Sequence, residues 1–345
     1  MSSGIFGPPI LKKGIMKRKS DLGGKGRWAV GIDLGGTKII VAQVREDGKV
    51  LRKRLLPTNA STGPDRVKKT LVAAVKGLME ETDSPAAGVG VGVAGQVEAE
   101  SGRVKFAPNL GWREEPFRED LEKELGLPVW VTNDVRAATW GEWLYGAGRG
   151  CNDLICLFVG TGIGGGVVSG GRVLTGCSNT AGELGHITID LNGPSCRCGN
   201  RGCLEALAGG WAIAQQAREW ATSDPEAGDL VLKMVEGQTE RITAKVVADA
   251  AQAGDPLAFS LFERVAGALS AGVASLVNAF NPGRLILGGG IIEGCPWLVK
   301  KVSEGLEDRA LPPALAPLRV LRARLRQNAA VVGSAALVLH SSEKG

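Results

Sequence analysis

One arrangement of strands and glycine turns occurs twice in this chain and limits the folds open to it. The first copy, at 29–50, places an apolar strand before Asp33-Leu-Gly-Gly-Thr-Lys38 and follows that turn with two further strands. The second copy begins with the apolar strand 154–159 and continues through Gly160-Thr-Gly-Ile-Gly-Gly-Gly166 to a turn at 169–171. Two copies of one unit predict a duplicated α/β fold with two turns able to approach phosphates. The alternative is a chance pair in a glycine-rich α/β protein.

Helical and strand patterns alternate along the rest of the chain. Apolar residues at helical spacing predict a helix over 66–81, whereas the alternating valines and glycines of 89–93 predict a buried strand that meets a ligand or another backbone. The other predicted elements are helices at 117–125, at 135–145, through most of 204–280 and at 329–340, and strands at 128–131 and 285–287. Such alternation is typical of α/β proteins.

The positive charge of the chain is concentrated at its N-terminus. Residues 1–27 contain seven basic side chains and one acidic one, whereas 28–345 carry a net charge of −1. We interpret 1–27 as a disordered basic tail, with contact to phosphates or lipid headgroups as the alternative. The folded part is predicted as a small α/β domain over 28–134 and a large one over 135–327, with a last helix, about 328–341, packing back on the small domain.

Composition excludes several classes of protein. Aromatic residues make up 5% of the chain, which argues against base-stacking nucleic-acid binders, and the chain lacks 18 consecutive apolar residues for a membrane span. The N-terminus lacks the pattern of a secretory signal. Seven cysteines, three of them within eight residues, indicate a metal site in a reducing compartment. We predict a cytoplasmic protein without nucleic-acid or membrane partners, and we expect a homodimer or homotetramer.

The first glycine turn is a candidate phosphate site. Its glycine N–H groups, a hydroxyl and an ammonium can meet phosphate oxygens, and Asp33 at the strand end can hold Mg²⁺ through waters. A plain hairpin turn is the alternative. The residues concerned are Asp33, Gly35, Gly36, Thr37 and Lys38.

Two further glycine stretches follow apolar strands. Gly160, Gly162 and Gly165 also fit the dinucleotide-binding pattern, but that pattern needs a helix after the loop, and Val167-Val168 with a turn follows instead. We therefore predict a hairpin here, not a Rossmann fold. Gly288-Gly-Gly290 has no side chains at a strand end and can accept a flat ring or a phosphate.

One histidine and three cysteines have the spacing of a zinc site. His186, Cys196, Cys198 and Cys203 form the pattern His-x9-Cys-x-Cys-x4-Cys, and glycines within the cysteine loop permit tight turns. Zinc prefers four such ligands in a tetrahedron, and four protein ligands leave no open position. The pattern predicts structural Zn²⁺, with unligated cysteines as the alternative.

Polar side chains near strand or loop ends are candidates for sugar binding. Carboxylates and amides can bind adjacent hydroxyls, and one carboxylate must accept a proton from an attacking hydroxyl. Caps and turns are the alternative role for each. The candidates are Asn109, Asn133, Asp134, Glu183 and Glu205.

Together these motifs resemble the ROK family, which groups bacterial sugar kinases with sugar-responsive repressors. The resemblance covers about 29 to the C-terminus. It rests on the turn 33–38, Val131-Thr-Asn-Asp134, Gly160-Thr-Gly162, Ala181-Gly-Glu-Leu-Gly-His186 and Cys196-Arg-Cys-Gly-Asn-Arg-Gly-Cys-Leu-Glu205.

The resemblance implies both a fold and residue roles. The implied fold is actin/hexokinase-like, also called ribonuclease H-like, with two α/β domains and an interdomain cleft. Asp134 is implied as the general base on a sugar 6-hydroxyl, and the turns at 35–38, 160–162 and 288–290 as ATP-binding. The implied sugar contacts are Asn109, Asn133, Asp134, Glu183, His186 and Glu205, with His186 also a zinc ligand.

The same resemblance implies ATP-dependent phosphorylation of glucose. Kinases for mannose, fructose, N-acetylglucosamine or N-acetylmannosamine use nearly the same residues and stay open as alternatives. The family often has Gly-x-Pro-Gly before the sugar loop, whereas this chain has Gly92-Val-Ala-Gly95 followed by Gln96, which bears on the choice of sugar. A sugar-sensing repressor is the alternative from another class. It needs a helix-turn-helix domain, and 1–27 show no paired helical pattern.

Overall fold

The structure is a computed structural model, and it describes residues 26–224 and 228–341. The tail predicted over 1–27 lies almost wholly outside the described residues. The strands are β1 Trp28–Leu34, β2 Lys38–Arg45, β3 Val50–Pro57, β4 Val89–Val93, β5 Gln96–Val97, β6 Val104–Ala107, β7 Trp112–Glu115, β8 Val129–Asn133, β9 Leu154–Val159, β10 Ile163–Ser169, β11 Arg172–Val173, β12 Arg284–Gly288 and β13 Arg319–Arg322.

Twelve α-helices are found in the described residues, with short 3₁₀ turns between some of the elements. The helices are α1 Pro64–Glu80, α2 Phe117–Leu125, α3 Asp134–Tyr145, α4 Leu204–Ala208, α5 Gly210–Ser223, α6 Asp229–Met234, α7 Ala244–Gln252, α8 Pro256–Phe280, α9 Gly290–Gly294, α10 Trp297–Glu307, α11 Pro312–Leu315 and α12 Ala329–Ser341.

The two sheets that carry most of the strands have the same topology. The first has the order β3-β2-β1-β4-β8 and the second the order β11-β10-β9-β12-β13. In each sheet, two parallel strands follow the hairpin that the sequence repeat predicts. The duplicated α/β fold of the actin/hexokinase-like class is therefore confirmed. Strand β10, not a helix, follows Gly160–Gly162, so the Rossmann interpretation is correctly excluded.

The described residues divide into two compact units. Unit 1 contains the described residues up to Asn152, Val167–Gly182, and the described residues from Gln327 onward. Unit 2 contains Asp153–Gly166 and Glu183–Arg326. The predicted domain boundary at 134 falls before α3, whereas the compact unit continues through that helix, because α3 packs along α12. Residues Val167–Gly182, which include the end of β10 and all of β11, also belong to unit 1.

Alternate residues of the central strands in unit 1 face two different layers. The valines of β4 belong to the apolar core that includes Leu71 and Val75 of α1. The glycines of β4 face α12 instead, and a Cβ at Gly90 would overlap the carbonyl oxygen of Ser334. Successive residues of a strand point to opposite faces, so the Val-Gly alternation builds a thick core on one face and a close backbone contact on the other.

Helix α12 is held by such close contacts on two sides. Toward the sheet, a Cβ at Gly31 of β1 would overlap the carbonyl oxygen of Val331. Toward α3, a Cβ at Gly333 would overlap the carbonyl oxygen of Ala137, and one at Gly141 would overlap that of Ala329. The helix can therefore lie against β1, β4 and α3 only because these positions lack side chains.

Unit 2 is built around the long helix α8. Among the described residues, α8 alone has the length and apolar composition that a membrane-spanning helix requires. Its buried face, which includes Leu261, Val265 and Leu269, packs against α4, α7 and α10. Burial within unit 2 accounts for its apolar character, as in the core helix of a globular domain.

The close packing of α12 yields a stability prediction. Gly333→Ala should lower the free energy of unfolding by about 3 kcal/mol or more, because the new methyl meets backbone that cannot rotate away. Gly267→Ala in α8 is the matched control, since no atom of the described residues beyond its own helical turn lies within 4 Å of its Cβ position. The control should be neutral or stabilising by up to about 1 kcal/mol. Urea unfolding of both variants tests this, and equal, small effects would contradict the packing account.

Candidate active site and metal centre

Two aspartates lie close together at one edge of the first sheet. Asp33 is near the end of β1, and Asp134 follows the end of β8 as the first residue of α3. Strands β1, β4 and β8 are parallel neighbours, so their carboxyl ends meet at the same edge. Gly92 of β4 lies between the two, and a Cβ there would be 3.1 Å from the Asp134 Cα.

The two carboxylates interact electrostatically. Burial and, second to it, the charge of Asp134 raise the pKa of Asp33 to about 7, against the opposing effect of the Lys38 ammonium. An acid with such a pKa exchanges its proton near neutrality and is typical of functional sites. It also favours a bound cation, because a cation would compensate two nearby negative charges.

Asp134 and Asn133 begin α3 together. The Asn133 carboxamide accepts a hydrogen bond from Arg136 N at 3.0 Å as the helix N-cap and donates one to the Gly95 carbonyl at 3.2 Å. One carboxylate oxygen of Asp134 accepts a hydrogen bond from Val135 N at 2.9 Å. The N-terminal end of a helix favours a negative charge, and the hydrogen bond from Val135 N fixes the direction of the Asp134 side chain.

The predicted phosphate turn is a tight hairpin beside Asn109. The amide of Gly35 donates to the Lys38 carbonyl at 3.1 Å, and Thr58 Oγ1 donates to the Gly35 carbonyl at 2.7 Å. A Cβ at Gly36 would be 2.8 Å from the Asn109 Cβ, so only glycine permits this approach. Thr37 and Lys38 are exposed. Unit 1 therefore brings Asp33, Asp134 and Lys38 together, with Asn109 beside the turn.

A buried arginine supports this half of the site and was missed from the sequence. Arg136 donates hydrogen bonds to Asn179 Oδ1 at 2.6 Å, to the Asn179 carbonyl at 2.9 Å and to the Ala181 carbonyl at 3.3 Å. Asn179 has a left-handed backbone, with φ of 59°, and donates to the Val97 carbonyl at 2.7 Å. Arg136 thus fixes the segment that leads to the motif 181–186. An arginine two residues into a helix gave no signal of this role.

The four predicted metal ligands of unit 2 lie together. The ligand atoms of His186, Cys196, Cys198 and Cys203 are all within 4.8 Å of one another. His186 Nδ1 is 3.7 Å from Cys196 Sγ, and the sulfurs of Cys198 and Cys203 are also 3.7 Å apart. A tetrahedron with Zn–S bonds of about 2.3 Å has edges of about 3.8 Å. The donor set and its spacing therefore fit a four-coordinate zinc ion.

The cysteine loop folds back on itself by means of two glycines. Gly199 and Gly202 have positive φ of 95° and 63°, and a Cβ at Gly202 would overlap the carbonyl oxygen of Asp190. Cys196 N donates to the Asn200 carbonyl at 2.7 Å. These turns bring the three thiols to one point, as the sequence spacing indicates.

Glu205 supports the second glycine loop. One of its oxygens accepts a hydrogen bond from Ile163 N at 2.8 Å and the other from Trp211 Nε1 at 3.1 Å. A Cβ at Gly162 would overlap this carboxylate. Both oxygens therefore already have a protein donor, which the sequence interpretation of Glu205 as a sugar contact did not anticipate. Glu183 is exposed and directly precedes the 3₁₀ turn Leu184–His186.

Unit 2 also contains a cavity of about 650 Å³ beside the glycine loops. Gly160, Thr161 and Gly290 lie in its wall, together with Trp211 and Phe262. Other predicted glycines are packed against protein. Gly288 is buried, and a Cβ at Gly289 would overlap the backbone of Val159. The structure thus brings two of the three glycine stretches to one cavity, though only some of their residues line it.

The sequence and the fold match known proteins over nearly the whole described chain. The ROK family model matches residues 29–341, and the chain therefore belongs to the ROK family. A glucokinase of Thermotoga maritima is 37% identical over 310 residues, which are 90% of this chain and 96% of the relative.

Two solved structures have closely similar folds. The ROK family glucokinase from Streptomyces griseus, in complex with glucose and AMPPNP, is 36% identical with a TM-score of 0.78, covering 90% of this chain and 98% of its own. The ROK hexokinase from Thermus thermophilus is 34% identical with a TM-score of 0.79, covering 92% and 100%.

The raised pKa of Asp33 predicts how stability depends on pH. The folded state holds this proton more tightly than the unfolded chain, so ionisation of Asp33 lowers the free energy of unfolding as pH rises from about 4 through 7. As pH rises from 5 to 8, the free energy of unfolding of the parent should therefore fall relative to that of Asp33→Asn, by up to about 3 kcal/mol. Urea unfolding without ligands measures this. Glu124→Gln, an exposed acid on α2, is the control and should follow the parent. The same dependence in Asp33→Asn and the parent would contradict the prediction.

Proposed function

We propose that this chain is an ATP-dependent glucokinase, which transfers the γ-phosphoryl group of ATP to the 6-hydroxyl of glucose. The observation that carries the proposal is the position of Asp134, a carboxylate fixed at a helix N-terminus beside the half-buried Asp33. Membership of the ROK family and the similarity to a glucokinase bound to glucose and AMPPNP support the choice of substrates.

Asp134 is proposed as the general base. The glucose 6-oxygen attacks the γ-phosphorus, the bond from that phosphorus to the β,γ-bridging oxygen breaks, and ADP leaves. The proton of the 6-hydroxyl passes to Asp134 as the new P–O bond forms. The cap at Asn133 and the hydrogen bond from Val135 N hold the carboxylate in one orientation for this transfer.

The remaining polar candidates are proposed to bind the sugar. Glu183 and His186 flank one 3₁₀ turn, so they are fixed relative to each other. His186 has Nδ1 toward Cys196, which leaves Nε2 as the nitrogen that can meet a hydroxyl. Glu205 can accept a further hydrogen bond, since each carboxylate oxygen has two lone pairs. Asn109 and Asn133 complete the proposed set.

The cavity of unit 2 is proposed to hold the nucleotide. Its wall combines glycine backbone at Gly160 and Gly290 with the ring systems of Trp211 and Phe262, a combination suited to phosphates and a flat base. The turn at 35–38 is proposed as a further phosphate contact. Mg²⁺, which neutralises charge on the transferring phosphates, would be held near Asp33.

The metal centre is proposed to hold one structural zinc ion. Four protein ligands fill a tetrahedron and leave no position for a substrate, so zinc would cross-link the loop 196–203 to the turn at His186. We also propose a cytoplasmic location and a homodimer or homotetramer. Mannose, fructose and the N-acetylhexosamines stay open as other acceptors.

A hexose panel with Asp134→Asn tests the proposed reaction. With ATP in a coupled ADP assay, glucose should give the highest kcat/KM, and glucose 6-phosphate should be the product. Asp134→Asn should fold normally and lose about 10²- to 10⁴-fold in kcat, because an amide cannot take the proton. Asp65→Asn, in the first turn of α1, is the matched control and should keep the parental rate. Asp134→Asn turnover within about threefold of the parent would exclude Asp134 as the base, and ADP release with none of the sugars would exclude the kinase.

The zinc proposal is tested on the metal content and stability of a cysteine variant. Protein purified without chelator should contain about one zinc per chain. Cys198→Ser should lose that zinc and unfold at a lower temperature, because the loop loses its cross-link. Cys177→Ser, an exposed cysteine outside the cluster, should keep both properties. Zinc-free parent protein, or equal zinc in both variants, would refute the assignment.

A further inference from the structure

One side chain belongs both to the metal-binding loop and to the cavity wall of unit 2. Arg197 lies between the ligands Cys196 and Cys198, and it also lines the cavity. Its guanidinium carbon is 4.5 Å from the ring centre of Trp211, which is a cation–π stacking distance. The metal loop and the cavity therefore meet at this stacked pair.

Trp211 continues the contact to the glycine loop. Its Nε1–H donates to Glu205 at 3.1 Å, and the other oxygen of Glu205 accepts a hydrogen bond from Ile163 N at 2.8 Å. The backbone N–H groups of Gly210 and Trp211 donate to the carbonyls of Gly160 and Thr161, each at 2.9 Å. Trp211 is therefore linked to the loop that lines the cavity both by its backbone and, through Glu205, by its side chain.

Arg197 lines this cavity, and it is not engaged with the one carboxylate among the described residues of the cavity wall, Asp249. Two other cations of the wall are engaged: Arg218 donates to the carbonyls of Thr239 and Ile242, and Lys245 pairs with Asp249 at 2.6 Å. Among the described residues, Arg197 has no ion pair. An anionic ligand in the cavity can therefore attract it without breaking a salt bridge.

We propose that Arg197 and Trp211 couple metal binding to nucleotide binding. The inference rests on the proposed function, because it takes ATP as the ligand of the cavity. A metal ion bound by Cys196 and Cys198 fixes the backbone on both sides of Arg197 and so holds its guanidinium on Trp211. Trp211, as a positioning residue, then holds the Gly160 loop through Glu205.

Coupling of this kind is reciprocal. If the metal strengthens nucleotide binding by some factor, the nucleotide must strengthen metal binding by the same factor. The metal affinity with and without nucleotide therefore measures the coupling on the folded, metal-loaded protein. This ratio does not depend on catalytic activity, and a purely structural role of Arg197 would not change it.

The test is a chelator competition on the zinc-loaded protein. The zinc dissociation constant is measured against a chromogenic chelator, with and without saturating Mg²⁺·AMPPNP in excess Mg²⁺. The parent should bind zinc about fivefold or more tightly with the nucleotide. In Arg197→Ala the ratio should fall to about one, and Trp211→Phe, which keeps a ring but lacks the N–H donor, should also lose most of it.

Arg201→Ala is the matched control, because Arg201 lies in the same cysteine loop but does not line the cavity. It should keep the parental ratio. A parental ratio of one, or an unchanged ratio in Arg197→Ala, overturns the coupling while leaving the kinase intact. Calorimetry distinguishes failure of the coupling alone from failure of the proposed function. If Mg²⁺·AMPPNP does not bind the parent protein at all, the proposed function fails and the coupling fails with it.

Discussion

The contact of α12 with the sheet and with α3 is the interaction on which unit 1 depends. Gly31 and Gly90 on the strands, and Gly141 and Gly333 between the helices, let backbone meet backbone where any side chain would overlap a carbonyl. Close packing of this kind is rigid, because neither partner can rotate away. The last helix of the chain thereby fixes strands and a helix from the first half of the sequence.

The same unit contains the two aspartates at which we propose that phosphoryl transfer occurs. Asp33 is the penultimate residue of β1 and Asp134 begins α3 at the same sheet edge, and Gly92 leaves the space between them open. Two acids held this close raise the affinity for a proton or a cation. A phosphoryl-transfer enzyme needs both features, a base on the acceptor and a place for Mg²⁺. Unit 2 contains two further features, a cysteine cluster and a cavity, which meet at Arg197 and Trp211.

Much of this arrangement could be predicted from the sequence because the signals are local. The strand–turn repeat predicted the two sheets, the valine–glycine alternation of 89–93 predicted a close backbone contact, and the cysteine spacing predicted the cluster. Features that depend on distant partners were missed. The small sheet of β5, β6 and β7 was missed because its strands are short. The role of Arg136 depends on Asn179, which is 43 residues away in the sequence. The hydrogen bonds of Glu205 involve Ile163, which is 42 residues away.

The central claim is that the first sheet places the carboxylates of Asp33 and Asp134 close enough to act as one site. The most direct measurement is a ¹³C NMR titration of the Asp33 carboxyl carbon in the ligand-free parent and in Asp134→Asn. The account predicts that the pKa of Asp33 is about 7 in the parent and lower in the variant, where the neighbouring charge is gone. A pKa near 4 in the parent, or one that is unchanged by the substitution, would contradict it.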